Sequence, residues 1–339
     1  MAEYKGIRGN KIKSLASDPT VNLGQTWYNT TSGTLKFDSV GAGAWATGTS
    51  LPQGRQMSAG LGTSPSAAIV AFGENPSLTK LITTLSWNGS TWTELNDGIY
   101  ARNLLAGIGS TTAGLAVGGA SPPNRPLVEE WDGTSWSEEN DLNTGGQSCM
   151  GCGTSTAGLI AGGGGRLKAT ETYNGTSWTT KNSLNTNHEG GAIGFAGTTT
   201  ATAVATGDPG AWGPAGPGTY TPNVEVWDGT SWTESGNMSI GRSGVGGTGI
   251  STNLIIYGGI TKTPAHAYVV SNLTEVFDGT SCAAAGTLAS ARQMFARSHG
   301  TGTAALALAG ASQPAPHTVS AGVQVWDGAP AGVKTVTVS

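Results

Sequence analysis

A short phrase recurs along this chain: an aromatic residue, then Asp-Gly or Asn-Gly, then a hydroxyl-rich pair and, in most copies, a second aromatic. It reads WDGTSW at both Trp131 and Trp227. The first aromatic of the successive copies stands at Trp87, Trp131, Tyr173, Trp227, Phe277 and Trp326, so the copies lie 42 to 54 residues apart. Repetition at this period predicts an array of similar units, because a unit this small buries its faces only against neighbouring copies.

Each repeat is predicted to form four strands. Asp-Gly and Asn-Gly supply the positive φ angles of a tight hairpin, so the phrase marks a turn flanked by aromatic side chains. In the second repeat, short apolar or alternating runs begin at Arg102, Gly114, Leu127 and Thr134, as expected for antiparallel strands. Eleven Trp and 55 Gly, with only 11% charged residues, favour sheet over helix. We therefore expect an all-β protein with almost no helix.

The aromatic and acidic residues have different expected places. Trp and Tyr have enough apolar area to fill the wedge between neighbouring sheets. Glycine-rich first strands, such as CMGCG from Cys149 and GVGGTG from Gly244, are expected to crowd toward an axis. Most acidic residues stand on the outer hairpins, where we expect them to be solvated and to blunt strand pairing. They include Glu129, Glu130, Glu138, Glu139, Glu171, Glu225 and Glu234.

The number of units follows from the strand signals. The sequence has six inner strand pairs but seven outer hairpins, the first of them at Phe37 with Trp45 as its second aromatic. The surplus N-terminal hairpin is predicted to pair with the C-terminal segment VKTVTVS, which begins at Val333, so that no edge stays open. We predict a β-propeller of six blades, with seven blades as the alternative.

The repeat resembles the kelch β-propeller repeat. A Gly-Gly doublet ends the second strand, an aromatic-Asp-Gly follows about a dozen residues later, and an Arg opens the next unit. Gly146 and His188 stand where that Arg is expected in two units, and Cys282 replaces the second aromatic in another. The resemblance implies a kelch-like propeller fold and by itself assigns no function.

The N-terminal region resembles a second group of proteins. The segment LGQTWYNTTSGTLKF, from Leu23, is similar to the hairpin that opens many structural proteins of tailed bacteriophages, above all tail-fibre and appendage proteins. The phrase TAGLAVGGA, from Thr112, is similar to kelch-like repeats of phage virion proteins. This resemblance implies a virion protein that is assembled in the cytoplasm of an infected bacterium, with other virion proteins of tail or capsid as its partners.

Residues 1–36 are expected to form an N-terminal arm and hairpin for attachment to the virion, and residues 37–339 the propeller. Candidate anchor residues in the arm are Lys5, Arg8, Lys11, Lys13, Trp27 and Tyr28. The formal net charge of −4, without long charge runs, gives no electrostatic footprint for nucleic acid. No apolar run is long enough for a membrane helix, so we expect no membrane insertion.

The sequence assigns no catalytic residue, no cofactor site and no metal site. Cys149 and Cys152 form a single CxxC without a second pair, and we expect them to be small buried residues on a strand. The phrase WDGTSW differs from the Asp-box of sialidases, because its Asp and Gly are adjacent. The four histidines lack the spacing of a metal-binding pair and are expected to be loop or rim residues: His188, His266, His299 and His317.

The repeats differ mainly between their second and third strands, where the connections 208–222, 261–272 and 311–321 are the longest. In a four-stranded meander these loops all emerge on one face, which favours a binding surface there. Side chains in these loops are candidates for contact with a host-surface glycan or a protein partner. They are Trp212, Tyr220, His266, Tyr268 and His317.

Together these features favour a non-enzymatic virion structural protein, a tail appendage or fibre component that attaches to other virion proteins and binds a host receptor glycan. A homo-oligomer is compatible with this role. Three alternatives stay open: a capsid decoration protein, a cellular kelch-like scaffold for protein interactions, and a glycan-active enzyme.

Overall fold

The computed structural model describes residues 13–17, 26–39, 43–120, 126–144, 146–164, 167–194, 196–209, 220–262, 267–295, 300–312, 318–328 and 332–335. Regular structure in these ranges is all β-strand, which confirms the predicted class. The chain forms two compact units, one from residues 1–43 with 328–339 and one from residues 44–327. The boundary expected after residue 36 falls inside a strand of the first unit.

The first unit is a sheet that contains strands from both ends of the chain. Its strands, in spatial order, are β1 (Lys13–Leu15), β2 (Thr26–Asn29), β3 (Thr34–Ser39) and β30 (Gly332–Thr335). β1 runs parallel to β2, and the other pairs are antiparallel. Phe37 lies opposite Lys334. The predicted pairing of the N-terminal hairpin with the C-terminal segment is therefore confirmed.

The second unit contains six four-stranded antiparallel sheets, the blades. Blade 1 comprises β5 (Ala59–Ser64), β6 (Ala67–Ala71), β7 (Thr84–Trp87) and β8 (Trp92–Leu95). Blade 2 comprises β9 (Ala106–Gly109), β10 (Gly114–Val117), β11 (Val128–Trp131) and β12 (Trp136–Glu139). Blade 3 comprises β13 (Met150–Thr154), β14 (Ala157–Ala161), β15 (Thr170–Tyr173) and β16 (Trp178–Lys181).

Blades 4 to 6 follow the same plan with two additions. Blade 4 comprises β17 (Ala192–Ile193), β18 (Thr202–Gly207), β19 (Thr221–Trp227) and β20 (Trp232–Glu234). Blade 5 comprises β21 (Gly246–Ile250), β22 (Asn253–Tyr257), β25 (Thr274–Phe277) and β26 (Cys282–Ala285). Blade 6 comprises β27 (Gly300–Thr301), β28 (Ala304–Leu308), β29 (Val323–Asp327) and β4 (Ala44–Gly48). A small hairpin, β23 (Ile260–Lys262) and β24 (Tyr268–Val270), is inserted between the second and third strands of blade 5.

The first strands of the blades form a closed ring. β5 contacts β9, and the contacts continue through β13, β17 and β21 to β27, which returns to β5. This order confirms a β-propeller of six blades. Each blade thus has an inner strand at the axis and an outer strand at the rim.

The ring is closed by strands from opposite ends of the second unit. β4 supplies the outer strand of blade 6 and pairs with β29, so that Trp45 lies opposite Trp326. The assignment of Trp45 to the hairpin at Phe37 was therefore wrong. Trp326 has no nearby downstream aromatic of its own, and the chain supplies the missing one from its beginning. The surplus hairpin belongs to the first unit rather than to a seventh blade.

Aromatic side chains fill the space between blades, as predicted. Trp131 of blade 2 is 1% exposed and packs with Phe72 of blade 1 in one apolar cluster. The indole of Trp136 contacts the Phe72 ring edge-on at 5.1 Å, and its Nε1 donates a hydrogen bond to Thr84 Oγ1 of blade 1 at 2.9 Å. Both indoles thus contribute apolar area to this interface, and Trp136 also contributes a satisfied polar group.

Glycine allows the inner strands to approach each other. A Cβ atom at Gly107 of β9 would collide with the carbonyl oxygen of Gly60 in the neighbouring β5. At Gly247 of β21 it would run into the Cβ of Ala192 in β17. The glycine-rich first strands are therefore a steric requirement of the axis.

We predict that Gly107→Ala lowers the free energy of unfolding by about 1–3 kcal/mol, because the new methyl group displaces a backbone rather than a mobile side chain. Chemical denaturation followed by tryptophan fluorescence measures the change. Gly146→Ala is the matched control, since its Cβ would meet only Leu167 Cδ1, at 3.5 Å. Equal stabilities of the two variants would contradict the steric argument.

Candidate ligand-binding face

The two ends of the propeller differ in how the strands are joined. At one end, the turn face, short turns join the first strand of each blade to the second and, in blades 1 to 5, the third to the fourth. At the other end, the loop face, longer connections join the second strand to the third, and one blade to the next. This follows from the antiparallel order within each blade and places all the long loops together, as the sequence predicted.

Exposed apolar side chains gather on the loop face. Among the described residues of the propeller, six of the seven large hydrophobic side chains that are exposed lie there: Leu78, Ile99, Ile240, Tyr268, Val269 and Leu273. The seventh, Ile250, lies on the turn face. Apolar side chains exposed together on one surface indicate a contact surface, because single exposed residues would be scattered over both faces.

Two of the predicted loop residues are brought together on this face by a lysine. Tyr220 precedes β19 of blade 4, and Tyr268 begins β24 of blade 5. The ammonium group of Lys262, in β23, lies 5.3 Å from the centroid of each tyrosine ring. We call Tyr220, Lys262 and Tyr268 the loop-face cluster. A cation between two aromatic rings is attracted by both, which fixes their mutual arrangement.

The two rings of the cluster have different roles. Tyr220 is 8% exposed, and its burial, together with the nearby Tyr268 and Asp208, raises the pKa of its hydroxyl well above the ordinary value. Tyr268 is 43% exposed. Tyr220 and Lys262 therefore form the less exposed side of the cluster, and Tyr268 presents its ring to solvent.

The other predicted site residues are not part of this cluster. Trp212, His266 and His317 lie outside the described residues, as do Lys5, Arg8 and Lys11. Lys13 begins β1 of the first unit. Of the aromatic pair in β2, Trp27 is buried and Tyr28 is 41% exposed, so Tyr28 is the one available for contact.

Buried pairs of a basic and an acidic residue hold the base of the loop face. Arg102 Nη2 lies 2.8 Å from Glu129 Oε1, and both side chains are fully buried. Burial lowers the pKa of Arg102, and the carboxylate of Glu129 opposes this effect. Glu129 also accepts hydrogen bonds from the backbone N–H of Ile99 and Tyr100, in the connection from blade 1. One carboxylate thus fixes the path of a loop-face connection.

The expected solvation of the outer-hairpin acids was wrong for Glu129, Glu171 and Glu225, which are all buried. In blades 2 to 5, alternation along the third strand puts one acid inward, and the inward acid requires a partner. In blade 3, where Gly146 replaces the Arg, Glu171 instead accepts hydrogen bonds from backbone N–H groups of Asn143 and Thr144.

The prediction that His188 is a loop or rim residue was also wrong. It is fully buried in blade 4 at the position that Arg occupies in other blades. Its Nε2 lies 3.0 Å from Glu225 Oε1, and its Nδ1 lies 2.6 Å from the backbone oxygen of Thr206. His188 therefore replaces the arginine as the partner of the inward acid. The signal in the sequence was its place in the repeat, where other units have an Arg.

The axis of the propeller is packed. One cavity of about 10 Å³ lies among inner-strand residues including Gly107, Gly151 and Ile193, and another of about 10 Å³ lies nearer the loop face, beside Met57 and Met294. Each has room for about one water molecule, far less than a sugar ring needs. Neither cavity can therefore take a sugar, and the loops offer the accessible surface.

Backbone hydrogen bonds close the loop-face end of the axis. The N–H of Leu104 donates to the oxygen of Met57 at 2.9 Å, and that of Met57 donates to Met294 at 2.9 Å. Ser148 donates in the same way to Leu104. These four residues have positive φ angles of 55° to 58°, a strained conformation for residues with a side chain. The strain is retained because each residue links its blade to the next.

The cysteines and other titratable residues form no metal centre in the described ranges. Cys149 and Cys152 are buried as predicted, and burial raises the pKa of the Cys152 thiol to about 12. No helix suited to spanning a membrane occurs in the part of the chain that the structure describes.

Comparison with known proteins supports the fold. No family model and no curated protein matches the chain. Among solved structures, it is similar to one described as the structure of YjhT, with a TM-score of 0.66 and 14% sequence identity over 82% of this chain and 96% of that one. The chain is a six-bladed β-propeller. At this level of identity the likeness concerns the fold alone.

The buried pair of blade 4 predicts a pH dependence of stability. Burial would raise the pKa of Glu225, but hydrogen bonds from His188 and from the backbone N–H of Asn185 and Thr186 hold it below the ordinary value. A carboxyl with a lowered folded pKa stabilises the fold above its unfolded pKa of about 4.3, and this contribution is lost as the pH falls through the folded value.

We therefore expect Glu225→Gln to be less stable than the wild type at neutral pH, with a difference that shrinks as the pH falls below about 4. Urea denaturation at a series of pH values measures it. The control is Glu234→Gln, which removes an exposed carboxylate from the same blade. A stability difference for Glu225→Gln that stays constant across the acid range would contradict the role of its charge.

Proposed function

We propose that the protein is a non-enzymatic structural protein of a tailed bacteriophage virion, a tail appendage or fibre component whose propeller binds a host-surface glycan through its loop face. The observation that carries the binding role is the loop-face cluster, an exposed tyrosine supported by a lysine and a second tyrosine. The virion assignment is supported by the sequence resemblance of residues 23–37 and of the repeats to phage structural proteins.

The chemistry of the cluster suits a saccharide. The exposed ring of Tyr268 offers a flat apolar surface for the C–H face of a sugar, and its hydroxyl and the Lys262 ammonium can bond to sugar hydroxyls. Lys262 lies 5.3 Å from both ring centroids, so the cluster is ordered before a ligand arrives. Preorganisation lowers the entropy cost of binding, which matters for a ligand with few apolar contacts.

The division of the chain suits attachment. Both chain ends contribute strands to the first unit, in which β30 lies beside β3. The second unit closes its ring with its own first and last strands, β4 and β29. Attachment through the first unit therefore leaves the propeller's own strand pairing intact. Tyr28, exposed on β2, is the described aromatic residue best placed for contact with another virion protein.

A location on the tail is testable on purified phage particles. Gold-labelled antibodies raised against the full chain are expected to label the tail, because the proposed role is host attachment. Label over the head would instead support a capsid decoration protein. No label on particles, with the free protein readily bound by the same antibodies, would contradict the virion role.

We predict that Tyr268→Ala lowers the affinity of the purified protein for host cells by about tenfold, because an exposed aromatic contact contributes about 1–2 kcal/mol. Flow cytometry with fluorescently labelled protein measures the binding. Ile250→Ala is the control, since Ile250 is similarly exposed in the same blade but on the turn face. If Tyr268→Ala bound as the wild type does, the cluster would have no part in recognition.

A further inference from the structure

The segments that supply the loop-face cluster contain no acidic residue. Residues 209–224, which lead into β19 and include Tyr220, have no charged residue, and residues 235–274, which include Lys262 and Tyr268, have no Asp or Glu. The chain as a whole has a net charge of −4, so acidic residues are in excess elsewhere. These segments therefore add no negative charge that would repel an anion at the cluster.

Lys262 has a charge that no carboxylate pairs with. The same segments contain one other Lys or Arg residue, Arg242, which is buried with its Nη2 3.0 Å from Glu275 Oε1. The remaining ion pairs within the described part of the propeller belong to Arg102 and His188, so Lys262 has no acidic partner among those residues. Its ammonium group contacts only aromatic rings there.

One carboxylate acts on the cluster from its buried side. Asp208 contributes to the raised pKa of Tyr220 and is 6% exposed. Tyr268, by contrast, is 43% exposed. A ligand that contacts the exposed ring of Tyr268 therefore meets the positive charge of Lys262, while Asp208 lies below the surface.

Each polar side-chain group of the cluster can donate a hydrogen bond. The Lys262 ammonium has three protons and no acceptor site, and both tyrosines have a hydroxyl proton, which burial retains on Tyr220 by raising its pKa. A carboxylate only accepts hydrogen bonds, whereas a sugar hydroxyl also needs an acceptor for its own proton. The donors of the cluster are therefore matched best by an anionic acceptor.

We propose that the ligand of the loop-face cluster is an acidic saccharide, whose carboxylate pairs with Lys262 while the sugar ring contacts Tyr268. The proposal rests on the glycan-binding role proposed above and names the class of glycan. Lys262 Nζ lies 5.3 Å from the centroid of the Tyr268 ring. A carboxylate attached directly to a sugar ring lies close to that ring, so a single sugar unit can contact both residues.

Apolar neighbours strengthen such a pair. Val269, next to Tyr268 in β24, and Leu273, which precedes β25, are exposed on the same face. Apolar side chains around an ion pair lower the local dielectric constant, which strengthens the attraction between its charges. A neutral sugar would leave the Lys262 charge without this gain, so the lysine contributes selectivity as well as affinity.

Pairs of polymers that differ only in charge test the proposal. Polygalacturonate, alginate and hyaluronate each carry ring carboxylates, and chemical reduction of the carboxyl groups gives neutral polymers with the same linkages. Biolayer interferometry with the purified full chain measures binding to each immobilised polymer. We expect at least one acidic polymer to bind about tenfold more tightly than its reduced form, with an affinity that falls as the salt concentration rises.

Substitution of Lys262 tests whether this residue recognises the charge. Lys262→Gln should remove the preference for the acidic polymer over its reduced form, and Lys262→Arg should retain it. Lys181→Gln is the matched control, since it removes an exposed lysine from the outer strand of blade 3. An equal loss of preference in Lys181→Gln would show general electrostatic attraction and overturn the role of Lys262. Thermal melting of each variant establishes that the propeller is folded.

Failure of this proposal is distinguishable from failure of the glycan-binding role. Equal binding of an acidic polymer and its reduced form would overturn the acidic class and leave glycan binding intact. Tyr268→Ala should weaken binding to both forms alike, because it removes the ring contact but not the charge. Binding to none of the acidic polymers, by protein that still binds host cells through Tyr268, would also overturn the acidic class. Absence of host-cell binding would count against the glycan-binding role itself.

Discussion

Pairing of β4 with β29 is the interaction on which the rest of the propeller depends. It joins a strand at the start of the second unit to one at its end, with Trp45 opposite Trp326. Without it, blade 6 would lack its outer strand and Trp326 would lose its aromatic neighbour, 5.2 Å away between ring centroids. The interfaces of blade 6 with blades 5 and 1 would then open, since each blade buries its faces only against its neighbours.

A second physical requirement comes from the third strand of most blades, where an acidic side chain points inward and needs a partner. The chain solves it with different partners: Arg102 for Glu129, His188 for Glu225, and backbone N–H groups for Glu171. Buried ion pairs of this kind contribute little net stability but strongly penalise the loss of one partner. Their main structural effect is to position the connections between blades, because the same carboxylates accept hydrogen bonds from those connections.

The loop face and the outer strands of the propeller differ in the side chains that they expose. The loop face carries the exposed apolar residues and the cluster around Lys262. The outer strands carry charged side chains in blades 1 to 4 and none in blades 5 and 6.

Local sequence determined much of this protein. Asp-Gly and Asn-Gly turns specify hairpins by their backbone preference, and Gly133 has the positive φ that such a turn requires, 96°. The six inner strand pairs predicted six blades, with seven as the alternative, and the glycines of the first strands predicted a crowded axis. Tertiary structure decided which partner each side chain meets: Trp45 with Trp326, His188 with Glu225, Lys262 with Tyr220. These partners lie far apart in the chain, and composition and alternation constrain only near neighbours, so the contacts exist only once the ring has closed.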